Sequence, residues 1–153
     1  MASSDHRPMS EYVTATVSGQ CFGLPILRVQ DVFVPERLTR VPLAPPEIAG
    51  VLNLRGRIVT MFDMRLRLAL EGATAPQRPM AIGVEANGES YGLLVDSVGE
   101  VLKLDDSAFE ANPVNLEPRL AAISAGVYRL SDALLLVLDL DKVLDIERSA
   151  VAA

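Results

Sequence analysis

The sequence predicts an all-β protein made of two similar halves, each folded as a small β-barrel. Short segments rich in β-branched residues alternate with turn signals along most of the 153 residues, and the first half of this pattern recurs in the second. Apolar residues make up 50% of the chain and charged residues 22%, which is typical of a globular protein. The formal net charge of −6, with no basic stripe, argues against a nucleic-acid partner.

Internal repetition is the most informative feature of the chain. At a shift of 69 positions, Gly19–Leu24 aligns with Gly88–Leu93, and both segments have the pattern Gly-x-x-aromatic-Gly-Leu. At a shift of 76 positions, Gly50–Leu54 aligns with Gly126–Leu130. Two matched blocks in the same order and at similar shifts indicate a duplicated unit.

The repeat divides the chain into a leader, one domain with two sub-barrels, and a tail. We expect a flexible leader at residues 1–10, because this segment is polar and lacks the apolar stretch of a signal peptide. The domain is expected at residues 11–148 and the tail at 149–153. A linker rich in Gly, Pro and Ala separates the halves. The two sub-barrels are placed roughly at residues 11–70 and 79–148, and the linker at residues 71–78.

Strands are predicted where apolar and β-branched segments end in turn signals. Tyr12–Val17 is rich in β-branched residues and alternates loosely between apolar and polar positions. Asn87–Gly88 follows the apolar segment Ala81–Ala86 and favours a type I′ hairpin, since both residues tolerate positive φ. Two further hairpins are predicted to turn at Arg55–Gly56 and at Ser131–Asp132. Strands of this length and spacing favour small barrels over an open sheet.

Helix is predicted to be a minor component. Asp63 and Asp139 each follow a strand and can cap a helical turn. The better helix candidate is Leu140–Ser149, which has apolar residues on one face. Pro45–Ala49 is predicted as one helical turn. Asp105–Pro118 is predicted as a loop, because it has two prolines and little periodicity.

The chain has little material for catalysis. His6 is the only histidine, and no nucleotide-binding, metalloprotease or nucleophile-elbow motif is present. Cys21 is the only cysteine, which excludes an intrachain disulfide and a Cys-based zinc site, and we expect it to be a packed strand residue. Asp105–Asp106 is the obvious carboxylate pair, but adjacent acids in a loop are usually solvated. The sequence therefore predicts a protein without enzymatic activity, cofactor or metal.

The sequence also indicates the compartment. The longest apolar run, Ala133–Leu138, is far too short to cross a bilayer. Together with the polar leader, this predicts a cytoplasmic protein that does not insert into a membrane.

The two halves differ at one hairpin in a way that folding alone does not require. The first half has Arg55 at the turn, where the second half has Ser131. A guanidinium suits a carboxylate, either within the protein or on a partner. We pair Arg55 with Asp31, which is predicted to share a strand face with Leu27 and Val29, where an unpaired charge would be costly. The alternatives are a solvent-exposed turn arginine and a bulge that turns Asp31 towards solvent.

These same residues resemble the CheW family of bacterial chemotaxis couplers. The block Asn53–Gly56, followed by Ile58–Val59 and Asp63, is quite specific to this family, and the resemblance runs from Tyr12 to Leu144. It implies two SH3-like five-stranded barrels packed together. The short C-terminal helix predicted above would follow the second barrel. Pro25 is a departure, because it interrupts the second strand and proline belongs at an edge or a bulge. The matching segments are Phe22–Val32, Ile48–Val59 and Tyr91–Val101.

The resemblance implies a non-catalytic adaptor of chemotaxis signal transduction. Such a scaffold links the cytoplasmic tips of methyl-accepting chemoreceptors to the regulatory domain of the histidine kinase CheA. It is a monomer alone, and in cells it is recruited to membrane receptors as part of a multimeric array. Val29 and Val32 form one set of valines and Val98 and Val101 another, and one valine of each set is expected to face out. The expected partner-binding residues are Val29, Asp31, Val32, Gly50, Asn53, Arg55, Val98 and Val101.

Two other roles remain open from the sequence. The chain could couple receptors to a kinase in a non-motility chemosensory pathway, which would use the same fold. It could also be a small β-barrel protein that binds a ligand or catalyses a carboxylate-dependent reaction. A deep polar pocket would favour this second role, whereas an apolar groove would favour the adaptor.

Overall fold

The computed structural model describes residues 8–68 and 78–145. This part of the chain forms ten β-strands, five from each half of the sequence repeat, with a few short helical turns. The strands of the first half are β1 (Met9–Val17), β2 (Gln20–Pro25), β3 (Val29–Phe33), β4 (Ile48–Leu54) and β5 (Arg57–Asp63). Those of the second half are β6 (Met80–Ala86), β7 (Glu89–Val95), β8 (Ser97–Asp105), β9 (Ser124–Arg129) and β10 (Leu134–Leu138).

The ten strands form two five-stranded sheets, which confirms the predicted all-β fold. The first sheet has the order β8-β1-β2-β10-β9, and the second has the order β3-β6-β7-β5-β4. Most neighbours are antiparallel, but β10 runs parallel to β2 and β5 runs parallel to β7. The two orders become identical when each strand of one half is replaced by its counterpart in the other half. The sheets are therefore related by a pseudo-twofold symmetry.

Each sheet combines strands from both halves, and this differs from the predicted sub-barrels at 11–70 and 79–148. The first sheet takes β1 and β2 from the first half and β8 to β10 from the second half. The second sheet takes β3 to β5 from the first half and β6 and β7 from the second half. The sequence repeat thus reflects duplication, but neither copy of the repeat forms a sheet by itself. Residues Met9 and Ser10, predicted to belong to the leader, are part of β1.

Three hairpin turns have the backbone that their sequences favour. Ser18–Gly19, Arg55–Gly56 and Asn87–Gly88 all have positive φ at both residues, as a type I′ turn requires. This confirms the type I′ hairpin predicted at Asn87–Gly88. The hairpin between β9 and β10 closes with a hydrogen bond from the Leu130 N–H to the Ala133 carbonyl, 2.8 Å, around the predicted turn.

Two predicted aspartate caps are confirmed. Asp63 accepts a hydrogen bond from the backbone N–H of Leu66 at the start of helix α1 (Met64–Arg67). Asp139 accepts one from the N–H of Lys142 at the start of α3. Helix α3 spans Leu140–Val143, at the start of the predicted Leu140–Ser149, of which residues 146–149 lie outside the described part.

The predictions of a loop at Asp105–Pro118 and of a helical turn at Pro45–Ala49 are wrong in part. Asp105 is the last residue of β8, and Asp106–Ala108 forms a 3₁₀ turn. Pro118–Ala121 forms helix α2, which has proline at its first position and the Glu117 side chain as its cap. Pro45 accepts a hydrogen bond from the Ile48 N–H, 2.9 Å, but this turn leads directly into β4 and not into a helix.

A central core joins the two sheets, and a smaller cluster lies within each sheet. The central core contains fully buried residues of both sheets, such as Phe22 and Phe62, and residues of α1 and α3 such as Met64 and Val143. The cluster of the first sheet is Tyr12, Tyr128, Leu135 and Val137. The cluster of the second sheet is Ala81, Leu52, Val59 and Met61, at the pseudo-equivalent positions.

The chain after each third strand folds back onto the fourth strand of the same half. Thr39 and Val51 exchange two backbone hydrogen bonds of 2.8 Å, and Glu110 and Val127 exchange two of 2.9 Å. Gly50 lies directly under the first of these contacts, because a Cβ atom there would be 2.6 Å from the Thr39 carbonyl oxygen. Gly50 therefore marks a close approach of two backbone segments, and the equivalent Gly126 does the same beneath the Glu110 backbone.

Replacing Gly50 by alanine is expected to destabilise the fold by at least about 2 kcal/mol. The Cβ would strike backbone that cannot move easily, and the φ of +150° is unfavourable for an L side chain. Gly19→Ala is the control, because Gly19 also has positive φ but has open space around it. Urea unfolding followed by far-UV circular dichroism measures both variants, and an equal loss in the two would contradict the steric explanation.

The exchange of strands predicts that neither half folds alone. Two fragments, residues 1–73 and 74–153, each lack strands of both sheets and should show no cooperative unfolding transition. An equimolar mixture should recover the far-UV spectrum and a single cooperative transition. A stable, cooperatively folded single fragment would contradict this reading.

Candidate functional site

Strands β3 and β8 are the edge strands that carry most of the predicted partner-binding residues. Each stands at the end of its sheet, and the two are pseudo-equivalent. Each pairs with its inner neighbour through a bulge at the same place, opposite Gly83 in the second sheet and opposite Thr14 in the first sheet. The bulge in β3 leaves Gln30 between the paired residues Val29 and Asp31, and the bulge in β8 falls at the equivalent Gly99–Glu100, so both edges bend at the same place.

The valines of each edge strand divide into an inward and an outward residue, as predicted. Val29 and Val98 pack against the central core. Val32 is 38% exposed and Val101 is 47% exposed, at equivalent positions of the two edges. Val32 and Val101 can therefore contact a partner directly, whereas Val29 and Val98 support the strands from below.

The predicted pair of Asp31 and Arg55 is present. An Arg55 guanidinium nitrogen lies 2.9 Å from Asp31 Oδ2, with the arginine side chain 75% exposed and the aspartate side chain 28% exposed. Asp31 Oδ1 accepts a hydrogen bond from the Val32 N–H, 2.9 Å. Oδ2 is buried and accepts no hydrogen bond, so the contact with Arg55 is mainly electrostatic.

The β4–β5 hairpin positions Arg55 for this contact. Asn53 Oδ1 accepts a hydrogen bond from the Gly56 N–H, 2.8 Å, which holds the turn in shape. The equivalent hairpin of the first sheet has Ser131 in place of Arg55 and folds without such a pair. Arg55 is consequently not required by the fold.

Two predicted partner-binding residues have clear structural roles. Gly50 is buried beneath the Thr39 backbone, and Asn53 fixes the turn that carries Arg55. Asn53 is also exposed, so its side chain is accessible at the surface. A direct partner contact by either residue stays a prediction.

A cavity of about 200 Å³ lies between β3 and the β4–β5 hairpin, beside the Asp31–Arg55 pair. A groove of about 400 Å³ adjoins it and shares Phe33 and Leu54. Asp31 is the one carboxylate that lines the cavity, and Glu36 is the one that lines the groove. Neither opening brings two carboxylates together, as acid–base catalysis by paired acids would need.

Sequence reasoning missed a third opening, of about 280 Å³, between Met9 and Leu27. Leu27 was predicted to lie on a strand face with Val29 and Asp31, and this is wrong. Strand β2 ends at Pro25, and Ile26–Arg28 forms a 3₁₀ turn whose Leu27 side chain is 96% exposed. The proline noted in the sequence was the available signal, because it ends the strand at this point.

The remaining candidate chemical groups are structural. Burial raises the pKa of the Cys21 thiol, and the charge of Asp132 acts in the same direction, so the thiol is protonated and weakly nucleophilic at neutral pH. Asp105 accepts hydrogen bonds from Ser107, and Asp106 accepts one from Ser10.

Residues 8–68 and 78–145 contain neither a cluster of metal-binding side chains nor a membrane-spanning helix. In these ranges, no group of three His, Cys, Asp or Glu residues could hold a metal ion. No helix in the same ranges is long and apolar enough to span a bilayer.

Taken together, the fold and these surfaces define a class of protein: an all-β protein of two five-stranded sheets, whose two pseudo-equivalent edges differ in side chains. The family model of the CheW-like domain matches residues 11–148. The chain belongs to the CheW-like family.

Known proteins of this family are similar along nearly the whole chain. The chemotaxis protein CheW of Klebsiella aerogenes is 28% identical over 141 residues, which cover 92% of this chain and 85% of that protein. CheW of Bacillus subtilis is 27% identical over 136 residues, covering 89% and 87% of the two chains. The crystal structure of the scaffolding protein TtCheW from Thermoanaerobacter tengcongensis superposes with a TM-score of 0.80 at 28% identity, covering 89% and 88%.

The Asp31–Arg55 pair is expected to contribute little to stability. Although Asp31 Oδ2 is buried, the Arg55 side chain is 75% exposed and solvent screens the pair; ion pairs at a protein surface contribute about 0–1 kcal/mol and weaken as salt rises. A double-mutant cycle of Asp31→Ala and Arg55→Ala, measured by urea unfolding at low and high salt, should give a coupling energy in that range. A coupling above about 2 kcal/mol would show that the pair is a stabilising element of the fold.

Proposed function

We propose that this chain is a non-catalytic adaptor that links the signalling tips of chemoreceptors to the regulatory domain of the histidine kinase CheA. Its family membership supports this role, since relatives are named chemotaxis protein CheW and a solved relative is named a scaffolding protein. The lack of paired carboxylates at either neighbouring opening of the second sheet is consistent with it.

The observation that carries the proposal is the pair of equivalent edges on one small body. An adaptor must present two surfaces that different partners recognise. Val32 and Val101 give both edges the same exposed apolar residue at the same point. Only the edge with Val32 has the Asp31–Arg55 pair beside it, because Ser131 replaces the arginine at the other edge. The two surfaces therefore have a similar backbone shape but different charged side chains, which suits two different partners.

Arg55 is the best polar anchor for a partner at the second sheet. Its guanidinium has one carboxylate contact and is largely exposed, so further N–H donors point to solvent. Arginine beside apolar residues is a common anchor of protein interfaces. Val29 and Val98 pack against the core beneath the edges, Gly50 allows the Thr39 backbone to approach β4, and Asn53 fixes the turn that carries Arg55.

The expected setting follows from this role. The adaptor is a cytoplasmic monomer that joins a multimeric array at the membrane by binding receptors, without entering the bilayer itself. The same binding events would serve a motility pathway or another chemosensory pathway. The identity of the bound receptors distinguishes the two.

Charge reversal at Arg55 should weaken partner binding without unfolding the protein. We expect Arg55→Glu to reduce the affinity for the CheA regulatory domain or for a receptor tip fragment by about tenfold or more, because an interface arginine often contributes above 1.4 kcal/mol. Val32→Asp and Val101→Asp test the two edges in the same way. Isothermal titration with each partner fragment is the measurement.

Val114→Asp is the matched control, since Val114 is fully exposed in the segment between β8 and α2 and belongs to neither edge strand. It should bind both fragments with unchanged affinity. Wild-type affinity of Arg55→Glu for both fragments would make Arg55 a passive turn residue. Failure of the folded wild-type protein to bind either fragment would overturn the adaptor proposal.

A further inference from the structure

The cavity beside Arg55 has the size and lining of a pocket for one aromatic ring. Its volume is about 200 Å³, and a cavity of roughly 150 Å³ is enough to hold a benzene molecule. Its apolar walls are formed by Phe33, Leu54, Val59 and Tyr91. Val59 and Tyr91 are buried, so the inner end of the cavity lies on the packed interior of the second sheet.

Gly83 leaves this cavity open although the fold does not require a glycine there. A Cβ atom at Gly83 would be 3.6 Å from the Asp31 carbonyl oxygen and 3.7 Å from the Phe33 ring, which are ordinary contacts. The equivalent residue in the first sheet is Thr14. Its hydroxyl donates a hydrogen bond of 2.7 Å to the Glu100 carbonyl and so occupies the corresponding space.

Two arginines stand at the mouth of the cavity. Arg55 contacts Asp31, and Arg57 lies 3.6 Å from a Glu85 carboxylate oxygen, so each guanidinium is engaged by one acid and is otherwise exposed. At the equivalent positions, the first sheet has Ser131 and Ala133. An apolar pocket with guanidiniums at its rim is complementary to an apolar side chain next to a carboxylate.

We propose that this cavity receives an aromatic side chain of a protein partner, and that an acidic residue next to it pairs with Arg55 or Arg57. The proposal rests on the adaptor function and adds the chemistry of the recognised segment. Cation–π contact between a guanidinium and the inserted ring would add to the apolar contacts. The first sheet does not offer the same combination, because Thr14 replaces Gly83 and neutral residues replace the arginines.

Two synthetic peptides test the pocket directly. The first is acetyl-Ser-Glu-Phe-Ser-amide, and the second has Ala in place of Phe. In ¹⁵N-edited spectra of the full-length protein, the Phe peptide should shift the amide signals of Gly83, Phe33 and Leu54, with a Kd in roughly the millimolar range for so small a ligand. The Ala peptide should leave these signals in place. No shifts with the Phe peptide, or equal shifts with both, would overturn the proposal.

Gly83→Thr transfers the arrangement of the first sheet into the second. It should abolish the shifts caused by the Phe peptide and weaken binding to the CheA regulatory domain or to the receptor tip fragment about tenfold. Its thermal unfolding midpoint should stay close to that of the wild type, since threonine suits a strand. Gly83→Ala, which adds only the Cβ, should fold in any case and weaken binding less.

The two proposals fail in different ways. If wild type binds both fragments and Gly83→Thr and Gly83→Ala bind them equally well, the adaptor stands and the aromatic pocket is wrong. If folded wild type binds neither fragment, the adaptor function is wrong, and the peptide titration decides the pocket independently.

Discussion

The structure depends on the central core that both halves of the chain build together. Strands β1 and β2 find their neighbours in β8 and β10, and β6 and β7 find theirs in β3 and β5. The buried residues between the sheets, including Phe22 and Phe62, come from both halves of the sequence. Because neither half can bury its apolar face alone, the two edges are held in a fixed relation. An adaptor with two binding surfaces needs such a relation, since movement between the surfaces would weaken coupled binding.

The pseudo-symmetry shows which residues the two sheets share and which differ between them. Positions that match in both copies, such as Gly50 and Gly126, meet the same backbone requirement in each sheet. Positions that differ, such as Arg55 against Ser131 and Gly83 against Thr14, lie at equivalent places of two sheets that have the same strand order. The second sheet has the charged residue of the first pair and the residue without a side chain of the second pair. Comparing the copies therefore separates the residues common to both sheets from those that distinguish them.

Features that depend on neighbouring residues could be predicted from the sequence, and those that depend on distant partners could not. The Asn87–Gly88 turn and the Asp63 and Asp139 caps follow from local backbone preferences. The Asp31–Arg55 pair was predictable because a charge on a half-buried strand needs an opposite charge. The exchange of strands was not, since the repeat looks the same whether its strands pair within one half or across the two. The α2 helix is one turn and owes its shape to Pro118 and its packing.

The reciprocal exchange gives this single chain the architecture of a symmetric dimer whose two subunits are joined end to end. Tethering gives the subunits an effective concentration in about the millimolar range, so assembly no longer depends on the amount of protein in the cell. A true homodimer must present identical faces, because every substitution appears twice. The fused chain escapes this constraint, and each face can change separately. Arg55 and Gly83 on one side, with Ser131 and Thr14 on the other, are the result of that freedom.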